Sequence, residues 1–461
     1  MSSFLSVVSA IFWGLIVLSI LVFIHEAGHY AAARAFGVRV TEFMLGLPCR
    51  WRLSHKSRKV GTEIGVTPIL LGGYNRICGM EPFEEKNLAS VLGCVQKHGR
   101  VEVSAVASEL SITEDEALAA LATLTDWASI RPYYDAEKGE KPGQRDWPAA
   151  FETQARDAAG LTEFDRGHDF SKEGASKSGA PRDLGCSAEE LLEREKSHTY
   201  LGMGFFKRLV MLVAGPLVNI VFAFIIVTGA FMVSGVSVAS TDPVLGAVTE
   251  GSYAANAGLA AGDRVERVGD VEVDSWSALT AAMKPYLEAG VDFSMLVERD
   301  GAEVEVNIDL PDGEASDLLG ISSQVKVYHP NVAEAAGLTV RYVQTVASYV
   351  VKLIIPQETM EVLSQSTSIV GISVMASQAA QVGISSLVLL AASISMSLGF
   401  MNLLPIPPLD GGKILIEIIQ LVLRRQLSLK VQNIISYIGL AFFLFVFIVV
   451  LRNDIFRYVI G

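Results

Sequence analysis

Charged residues are scarce in this chain and are missing from four long stretches. Asp, Glu, Lys and Arg make up only 19% of its 461 residues, whereas about 25% is usual for a soluble domain. No charge occurs within residues 1–24, 209–241, 362–409 or 431–451. Each stretch reaches the roughly 20 apolar residues that a helix needs to cross a bilayer. This composition excludes a single soluble domain and predicts a polytopic α-helical membrane protein with about four transmembrane helices.

The first uncharged stretch has a secretory signal peptide as its alternative interpretation. A signal peptide opens with basic residues and ends at a small-residue cleavage site, and this stretch has neither. It continues instead into the sequence HEAGH at residues 25–29. We therefore expect it to be a transmembrane helix.

Cysteine is also rare, and its positions bear on the cellular side of the loops. The four cysteines are Cys49, Cys78, Cys94 and Cys186, all between the first and second apolar stretches. This distribution predicts reduced thiols in a cytoplasmic segment rather than a disulfide framework. Their irregular spacing argues against a structural zinc site.

Basic residues next to the apolar stretches predict the orientation in the membrane. They are Arg34, Arg39, Arg50, Arg52, Lys56, Arg58 and Lys59 after the first stretch, Lys207 and Arg208 before the second, and Arg424, Arg425 and Lys430 before the fourth. Because cytoplasmic loops are enriched in Lys and Arg, these loops should be cytoplasmic. The N-terminus, residues 242–361 and the C-terminus are then expected outside.

Two soluble segments have distinct patterns. In residues 88–135, three short amphipathic helices precede the strand-like IRPYYD, an order that resembles a winged helix. The third helix begins with Glu114, Asp115 and Glu116, and the net charge is −13, so no nucleic-acid binding is expected. A cytoplasmic regulatory partner is the favoured interpretation for this insert. Residues 135–185, rich in Gly, Lys, Asp and Ser, are expected to be linker or disordered.

The external segment has the sequence pattern of a β-rich domain. Its sequence VLGAVTEGSYAANAGLAAGDRVERVGDVEV alternates strand-like pieces with glycine turns, and Asp300-Gly301 joins two later strands. This order resembles a PDZ domain, with a small β-sandwich as the alternative.

The predicted segments are residues 1–40 (first transmembrane helix), 41–86 (membrane-associated β-hairpin), 87–198 (cytoplasmic insert), 199–239 (second transmembrane helix), 240–312 (PDZ-like domain), 313–385 (connector and re-entrant segment), 386–425 (third transmembrane helix) and 426–461 (fourth transmembrane helix and C-terminus).

HEAGH places metal-binding chemistry inside the first apolar segment. On a helix, His25 and His29 lie on one face and can bind one zinc ion, while Glu26 can act as a general base on a metal-bound water. Placing an ionisable side chain within a membrane span costs free energy, so such a residue is first interpreted as part of a functional site. The motif therefore predicts a catalytic zinc site with two of its ligands.

A third ligand is expected from the other end of the chain. Asp410, in MNLLPIPPLDGG, is the acidic residue at the edge of the third apolar stretch, and the prolines around it prevent a regular helix. It is the best candidate for the third ligand of a catalytic zinc. Asn402 in the same motif offers an amide that could hold the substrate carbonyl, or alternatively a helix–helix hydrogen bond.

These motifs together resemble the site-2 protease family of intramembrane zinc metalloproteases. The resemblance rests on HEAGH at 25–29, NLLPIPPLDG at 402–411, AGPLVN at 214–219 and PILLGGY at 68–74. With the external PDZ-like domain, the layout is similar to the bacterial branch that cleaves anti-sigma factors. Residues 87–197 have no counterpart in it, and the chain has Ser368-Ile369-Val370-Gly371 where the family often has a Gly-Pro-Ile-Gly-like turn.

The resemblance implies a role for each matching residue. It implies Zn²⁺ bound by His25, His29 and Asp410, with Glu26 as base and acid and Asn402 as a substrate-positioning residue. Asn219 is expected near the active site, and the β-hairpin with Gly72 and Gly73 is expected to hold an unwound substrate. Three kinds of partner are expected. They are single-pass transmembrane substrates, such as pre-trimmed anti-sigma factors; membrane lipid; and a cytoplasmic regulator.

Two other classes of function remain open on the sequence. A zinc-binding or zinc-transporting membrane protein could use the same three ligands without hydrolysis, but it would have no need of Glu26. A non-catalytic membrane scaffold carrying the PDZ-like domain is the second alternative.

Overall fold

The computed structural model describes residues 2–81, 86–183, 185–310, 319–425 and 427–457. They fall into two compact units, Met1–Val227 with Thr339–Gly461, and Thr228–Leu338. We call them the first and the second unit, and each is described by itself.

Helices dominate the first unit, and strands are present in both. The helices are α1 (Ser2–Ala35), α2 (Leu88–His98), α3 (Val103–Leu110), α4 (Glu114–Asp126), α5 (Ala188–Lys196), α6 (Phe205–Ser234), α7 (Tyr253–Asn256), α8 (Trp276–Ala289), α9 (Val332–Lys352), α10 (Pro356–Gln365), α11 (Ile369–Val382), α12 (Ile384–Asn402), α13 (Asp410–Leu423) and α14 (Leu429–Ile455). The strands are β1 (Val40–Leu45), β2 (Leu53–Lys56), β3 (Glu63–Val66), β4 (Gly73–Ile77), β5 (Arg100–Glu102), β6 (Ile130–Tyr133), β7 (Ala150–Thr153), β8 (Val236–Ala239), β9 (Leu245–Val248), β10 (Arg264–Val268), β11 (Val271–Glu272), β12 (Phe293–Arg299), β13 (Ala302–Ile308), β14 (Ile321–Ser323) and β15 (Val325–Tyr328).

Four of the described helices are long and apolar enough to cross a membrane. They are α1, α6, α12 and α14, in agreement with the predicted number. The pair α9 and α10, bent by 118° at a short break, would make a fifth if it were one span. The third predicted segment, 386–425, is not one helix. It divides into α12 and α13 because Pro405, Pro407 and Pro408 lack the N–H groups that a continuous helix needs.

Close packing against α1 holds α11 in the first unit. A side chain at Gly14 would overlap Ser373, so the two helices approach closely only because position 14 is glycine. Ser9 and Ser377 share a hydrogen bond of 2.8 Å between their hydroxyl groups. The segment Ser368–Gly371 forms the beginning of α11, where backbone N–H groups of Ser368 and Gly371 donate to the buried carboxylate of Asp454.

A four-stranded sheet follows α1, where a hairpin is predicted within 41–86. Its strand order is β2-β3-β1-β4, with β1 and β3 parallel and the other pairs antiparallel. The hairpin prediction was wrong for β3 and β4, because β1 lies between these two strands and pairs with both. Strand β4 lies at one edge of the sheet and contacts α1. On the far side, Trp51 and Leu53 expose nearly four-fifths of their surface, 79% and 78%.

The insert has its own hydrophobic core. Its strand order is β5-β7-β6, and its buried residues include Leu88, Leu121, Trp127 and Phe151. The linker predicted for residues 135–185 was wrong, because β7 and several buried polar side chains lie there. Composition misled the prediction because charged residues of this segment are buried in ion pairs rather than solvated. The winged-helix-like interpretation stays a prediction, with β7 added beyond its range of 88–135.

A buried ion network joins the end of the HEAGH helix to the insert. Arg39, between α1 and β1, is 1% exposed and pairs with both carboxylate oxygens of Asp165 at 2.7 Å. It also donates to Glu195 at 2.7 Å, and Arg156 donates to the other oxygen of Glu195 at the same distance. Although burial alone would raise the pKa of Glu195, Arg39 and Arg156 hold it well below its usual range. These contacts tie α5 and the segment around Asp165 to the base of α1.

The second unit is a β-rich domain with a compact core. Strands β11-β10-β12-β13 form one sheet, and α8 packs on it through residues such as Leu279. Strands β14 and β15 lie in the predicted connector 313–385, yet they pair with β9 and β8 of this domain. The domain therefore extends beyond its predicted range of 240–312, and the predicted boundary at 312 lies outside the described residues. The PDZ-like interpretation stays a prediction.

Removal of the Glu195 carboxylate should destabilise the first unit. Glu195→Ala leaves Arg39 and Arg156 buried without a shared anion, and breaking such a buried pair costs about 3–5 kcal/mol. We expect a clearly lower midpoint of thermal unfolding for the purified protein in detergent. Glu193→Ala, at an exposed position on the same helix, is the matched control and should unfold like the wild type.

The pH dependence of unfolding gives a second readout for this network. Because the pKa of Glu195 is lowered on folding, its stabilising effect is present above the ordinary value of 4.5 and is lost as the pH falls below it. The difference in midpoint between wild type and Glu195→Ala should therefore shrink as the pH is lowered from 7 through that value. A difference that is independent of pH would contradict the assignment.

Candidate metal centre

Three side chains from opposite ends of the chain meet at one point. His25 and His29 lie four residues apart on α1, and Asp410 is the first residue of α13. Asp410 Oδ2 is 3.1 Å from His25 Nε2 and 3.2 Å from His29 Nε2. The two Nε2 atoms are 3.2 Å apart, so the three atoms form a nearly equilateral triangle.

Helix α6 orients the second histidine. His29 Nδ1 lies 2.7 Å from the carbonyl oxygen of Met211, to which it donates in the tautomer that leaves Nε2 free as a ligand. Gly215, one turn further on, presses against the same imidazole, and a side chain at position 215 would overlap the ring. Gly28 likewise approaches the backbone of Ala214. Small residues on both helices therefore allow the contact that fixes His29.

The proline-rich turn between α12 and α13 brings Asp410 to the histidines. A Cβ at Gly411 would overlap the carbonyl oxygens of Leu403 and Leu404, and one at Gly412 would overlap Pro407. The turn therefore folds back on the first residues of α13 only because these positions are glycine. Asp410 stands at the helix N-terminus, where the helix dipole favours a negative charge.

The triangle fits a zinc ion in both chemistry and size. Two neutral imidazoles and a carboxylate are three protein ligands, the number that catalytic zinc sites use while one position stays open. Ligands about 2 Å from a tetrahedral metal stand about 3.3 Å from one another, close to the separations of 3.1 and 3.2 Å found here. Both histidines are buried and the Asp410 side chain is only 14% exposed, so a bound cation would offset the cost of burying this carboxylate.

Asn75 is a further site residue that the sequence patterns did not reveal. Its amide donates to Glu26 Oε2 at 2.9 Å and also to the carbonyl oxygen of Glu26. It lies on β4, so the edge strand of the sheet holds the Glu26 carboxylate next to His25, the first candidate ligand. Its position two residues after Gly73, on an alternating strand, was the available signal. That signal is weak because strands commonly carry polar residues.

The other predicted site residues lie at different places around this centre. Asn219 is fully buried on α6, on the same helical face as Gly215, and no described residue bonds to its side-chain oxygen or nitrogen. Gly72 adopts a left-handed backbone with φ of 104°, and Gly73 begins β4, with the position of its missing Cβ 3.8 Å from Glu26 Cγ. Asn402 ends α12, and within the described part of the chain its side chain makes no hydrogen bond to the three ligands.

Comparison with known proteins identifies the family. The model of peptidase family M50 matches residues 13–446. The chain belongs to this family, the site-2 proteases.

Similar M50 proteins cover nearly the whole chain. The regulator of sigma-W protease RasP of Bacillus subtilis (strain 168) is 27% identical over 453 residues, which are 96% of this chain and 97% of the relative. The zinc metalloprotease RasP of Bacillus licheniformis is 26% identical over 450 residues, 96% of this chain and 98% of the relative. The zinc metalloprotease RasP of Shouchella clausii is 28% identical over 448 residues, with 95% and 97% covered. The M50 chain described here is accordingly a zinc metalloprotease and a multi-pass membrane protein.

An added methyl group at Gly215 should disturb the metal centre of this M50 protein. Gly215→Ala forces the His29 ring to move, and a displacement of about 1 Å in a catalytic group can lower the rate about 100-fold. We expect lower zinc content by metal analysis and a comparable loss of proteolysis. Gly229→Ala on the same helix is the control, since open space surrounds that position. Normal zinc content in Gly215→Ala would contradict the packing argument.

Asn75 should position Glu26 without affecting metal binding. Asn75→Asp has the same shape but places a carboxylate against Glu26, and Asn75→Leu removes the donor. Because general bases contribute about 10²–10⁴-fold, we expect at least a tenfold lower kcat with little change in KM or zinc content. Arg76→Gln, at the exposed neighbouring position on β4, should keep full activity. Loss of zinc in both Asn75 variants would instead indicate a structural role.

Proposed function

We propose that this protein hydrolyses a peptide bond within the transmembrane segment of a single-pass membrane protein. The observation that carries the proposal is the position of the triangle formed by His25, His29 and Asp410. Two of its corners belong to α1, an apolar helix long enough to span a bilayer. A protease whose ligands lie within such a helix meets substrate at membrane depth, where soluble proteins do not reach.

The residues around the triangle have separate tasks in this proposal. His25, His29 and Asp410 would hold the zinc ion, which would lower the pKa of a bound water and polarise the scissile carbonyl as a Lewis acid. Glu26 removes a proton from the attacking water and returns it to the leaving amine. Asn75 keeps the Glu26 carboxylate directed toward the site through its 2.9 Å hydrogen bond. Asn219 and Asn402 are the proposed donors to the peptide groups of the substrate, and the unpartnered buried amide of Asn219 supports its part.

The proposed binding site for the substrate is the edge of strand β4. A transmembrane helix hides its carbonyls in internal hydrogen bonds, so the segment must unwind before it can be cut. An unwound segment has free backbone groups that an edge strand can pair with. Strand β4 is an edge strand, and Gly73 at its start lies next to Glu26, with Gly72 before it. Exposed Leu53 on β2 and exposed Trp51, just before that strand, suit contact with membrane lipid.

The substrate class and the orientation extend this proposal. The Bacillus subtilis relative is named as a regulator of sigma-W, which supports an anti-sigma factor as the substrate class. We propose that this substrate arrives already trimmed outside the membrane. We place the metal centre toward the cytoplasm, with the insert there as the docking point of a regulatory partner. The second unit then lies outside and, as a PDZ-like domain, admits only trimmed substrates.

Substitution of Glu26 tests hydrolysis separately from metal binding. In proteoliposomes with a single-span anti-sigma factor, Glu26→Gln should keep one zinc per metal centre but cut more than about 100-fold more slowly, because the base is gone. His25→Ala and Asp410→Ala should lose both the zinc of this centre and cleavage. Mass spectrometry of the wild-type fragments should place the cut inside the span. Cuts only outside the span, or an active Glu26→Gln variant, would refute the proposal.

A further inference from the structure

The insert contains a second group of metal-binding side chains, outside the catalytic centre. Cys94 and His98 lie four residues apart on one face of α2, and Glu109 comes from the neighbouring α3. Glu109 Oε2 is 3.5 Å from Cys94 Sγ and 2.9 Å from His98 Nε2. Each pair of these ligand atoms lies within 4.8 Å.

The separations suit a tetrahedral borderline metal. With bonds of about 2.3 Å to sulfur and 2.0 Å to oxygen, a tetrahedral zinc holds the two ligand atoms about 3.5 Å apart, which is the Cys94–Glu109 distance. The corresponding separation of nitrogen and oxygen is about 3.3 Å, so His98 at 2.9 Å needs to move by only a few tenths of an ångström. Thiolate, imidazole and carboxylate are all ligands that zinc uses.

A neighbouring lysine orients the Glu109 carboxylate for metal binding. Lys97 Nζ pairs with Glu109 Oε1 at 3.2 Å, which leaves Oε2 directed at the thiol and the imidazole. Such a contact beyond the ligand itself orients a coordinating carboxylate. Cys94 is held in the core of the insert, whereas the side chains of His98 and Glu109 are 42% and 38% exposed. One side of the group is therefore rigid, and the other is open to an entering ion and a water ligand.

A surface ion pair alone does not account for the arrangement. His98 and Glu109 could pair without the thiol, and an exposed ion pair of this kind contributes little to stability. Cys94 distinguishes this group from a simple ion pair. It belongs to the apolar core, yet its sulfur points toward the Glu109 carboxylate, one helical turn before His98. The spacing of the four cysteines did not indicate this site, since its ligands are of three different types.

We propose that Cys94, His98 and Glu109 form a second binding site for a thiophilic divalent cation of the zinc class. The ligand set is complete within α2 and α3, so binding stiffens the contact between these two helices. The proposal is independent of the proteolytic function, because none of the three residues belongs to the catalytic centre.

Metal counting in the full-length detergent-solubilised protein tests the proposal. After equilibration with Zn²⁺ and removal of the excess, we expect two zinc ions per chain in the wild type. The double variant His25→Ala/His29→Ala should retain one ion, and His98→Gln and Glu109→Gln should each retain one, at the catalytic centre. These two substitutions stand at half-exposed positions, so the fold is expected to survive them. One ion in the wild type, lost entirely from the double variant, would overturn the proposal.

Cobalt spectroscopy identifies the sulfur ligand. In the His25→Ala/His29→Ala background, Co²⁺ should give a thiolate-to-metal charge-transfer band, and Cys94→Ser should abolish it. Cys186→Ser is the matched control, because Cys186 is a partly buried thiol that packs against the same core. The band should persist in that variant. A band that survives Cys94→Ser, or one that depends on Cys186, would assign the metal elsewhere and refute this site.

Discussion

The first unit depends on one electrostatic constraint: the Asp410 carboxylate at the candidate metal centre needs a cation to balance its charge. A carboxylate and two imidazoles stand 3.1 to 3.2 Å apart among apolar helices, an arrangement that is costly unless a cation joins them. To bring Asp410 there, the chain must leave α12, turn through three prolines and start a new helix at the site. To hold His29 there, α6 must approach α1 so closely that Gly215 touches the ring. Helix α1, helix α6 and the turn before α13 thus meet at the three atoms of this triangle.

A second compensation of charge links this centre to the insert. Arg39 follows α1 by only four residues and is buried between Asp165 and Glu195. A buried guanidinium without its anions is strongly unfavourable, so the end of α1 and the insert must fold together. The insert is therefore part of the support of α1 and not a loosely tethered addition. Two of the side chains proposed for the second metal site, Cys94 and His98, lie on α2, which packs against α5, the helix of Glu195.

Local patterns were good predictors where one segment contains all of its own information. HEAGH placed two candidate ligands on one helical face, and the uncharged stretches indicated the four candidate spans found among the described helices. The proline-rich motif predicted a break near Asp410, although the helix after it was missed. Predictions failed where the partners are distant in sequence. The pairing of β14 and β15 with β9 and β8, and the burial of Asp165, depend on contacts that no local pattern reports.

The division between sequence and tertiary structure has a simple physical origin in this protein. Apolar length, helical periodicity and proline content are properties of single segments, so the sequence by itself determined the candidate spans, the two candidate histidine ligands and the candidate acid Asp410. Distances between segments arise only when helices and strands pack. Tertiary structure alone decided that Asp410 lies 3.1 Å from His25, that Asn75 holds Glu26, and that Arg39 finds its anions in the insert. A charge or an amide has a defined partner only once the chain has folded around it.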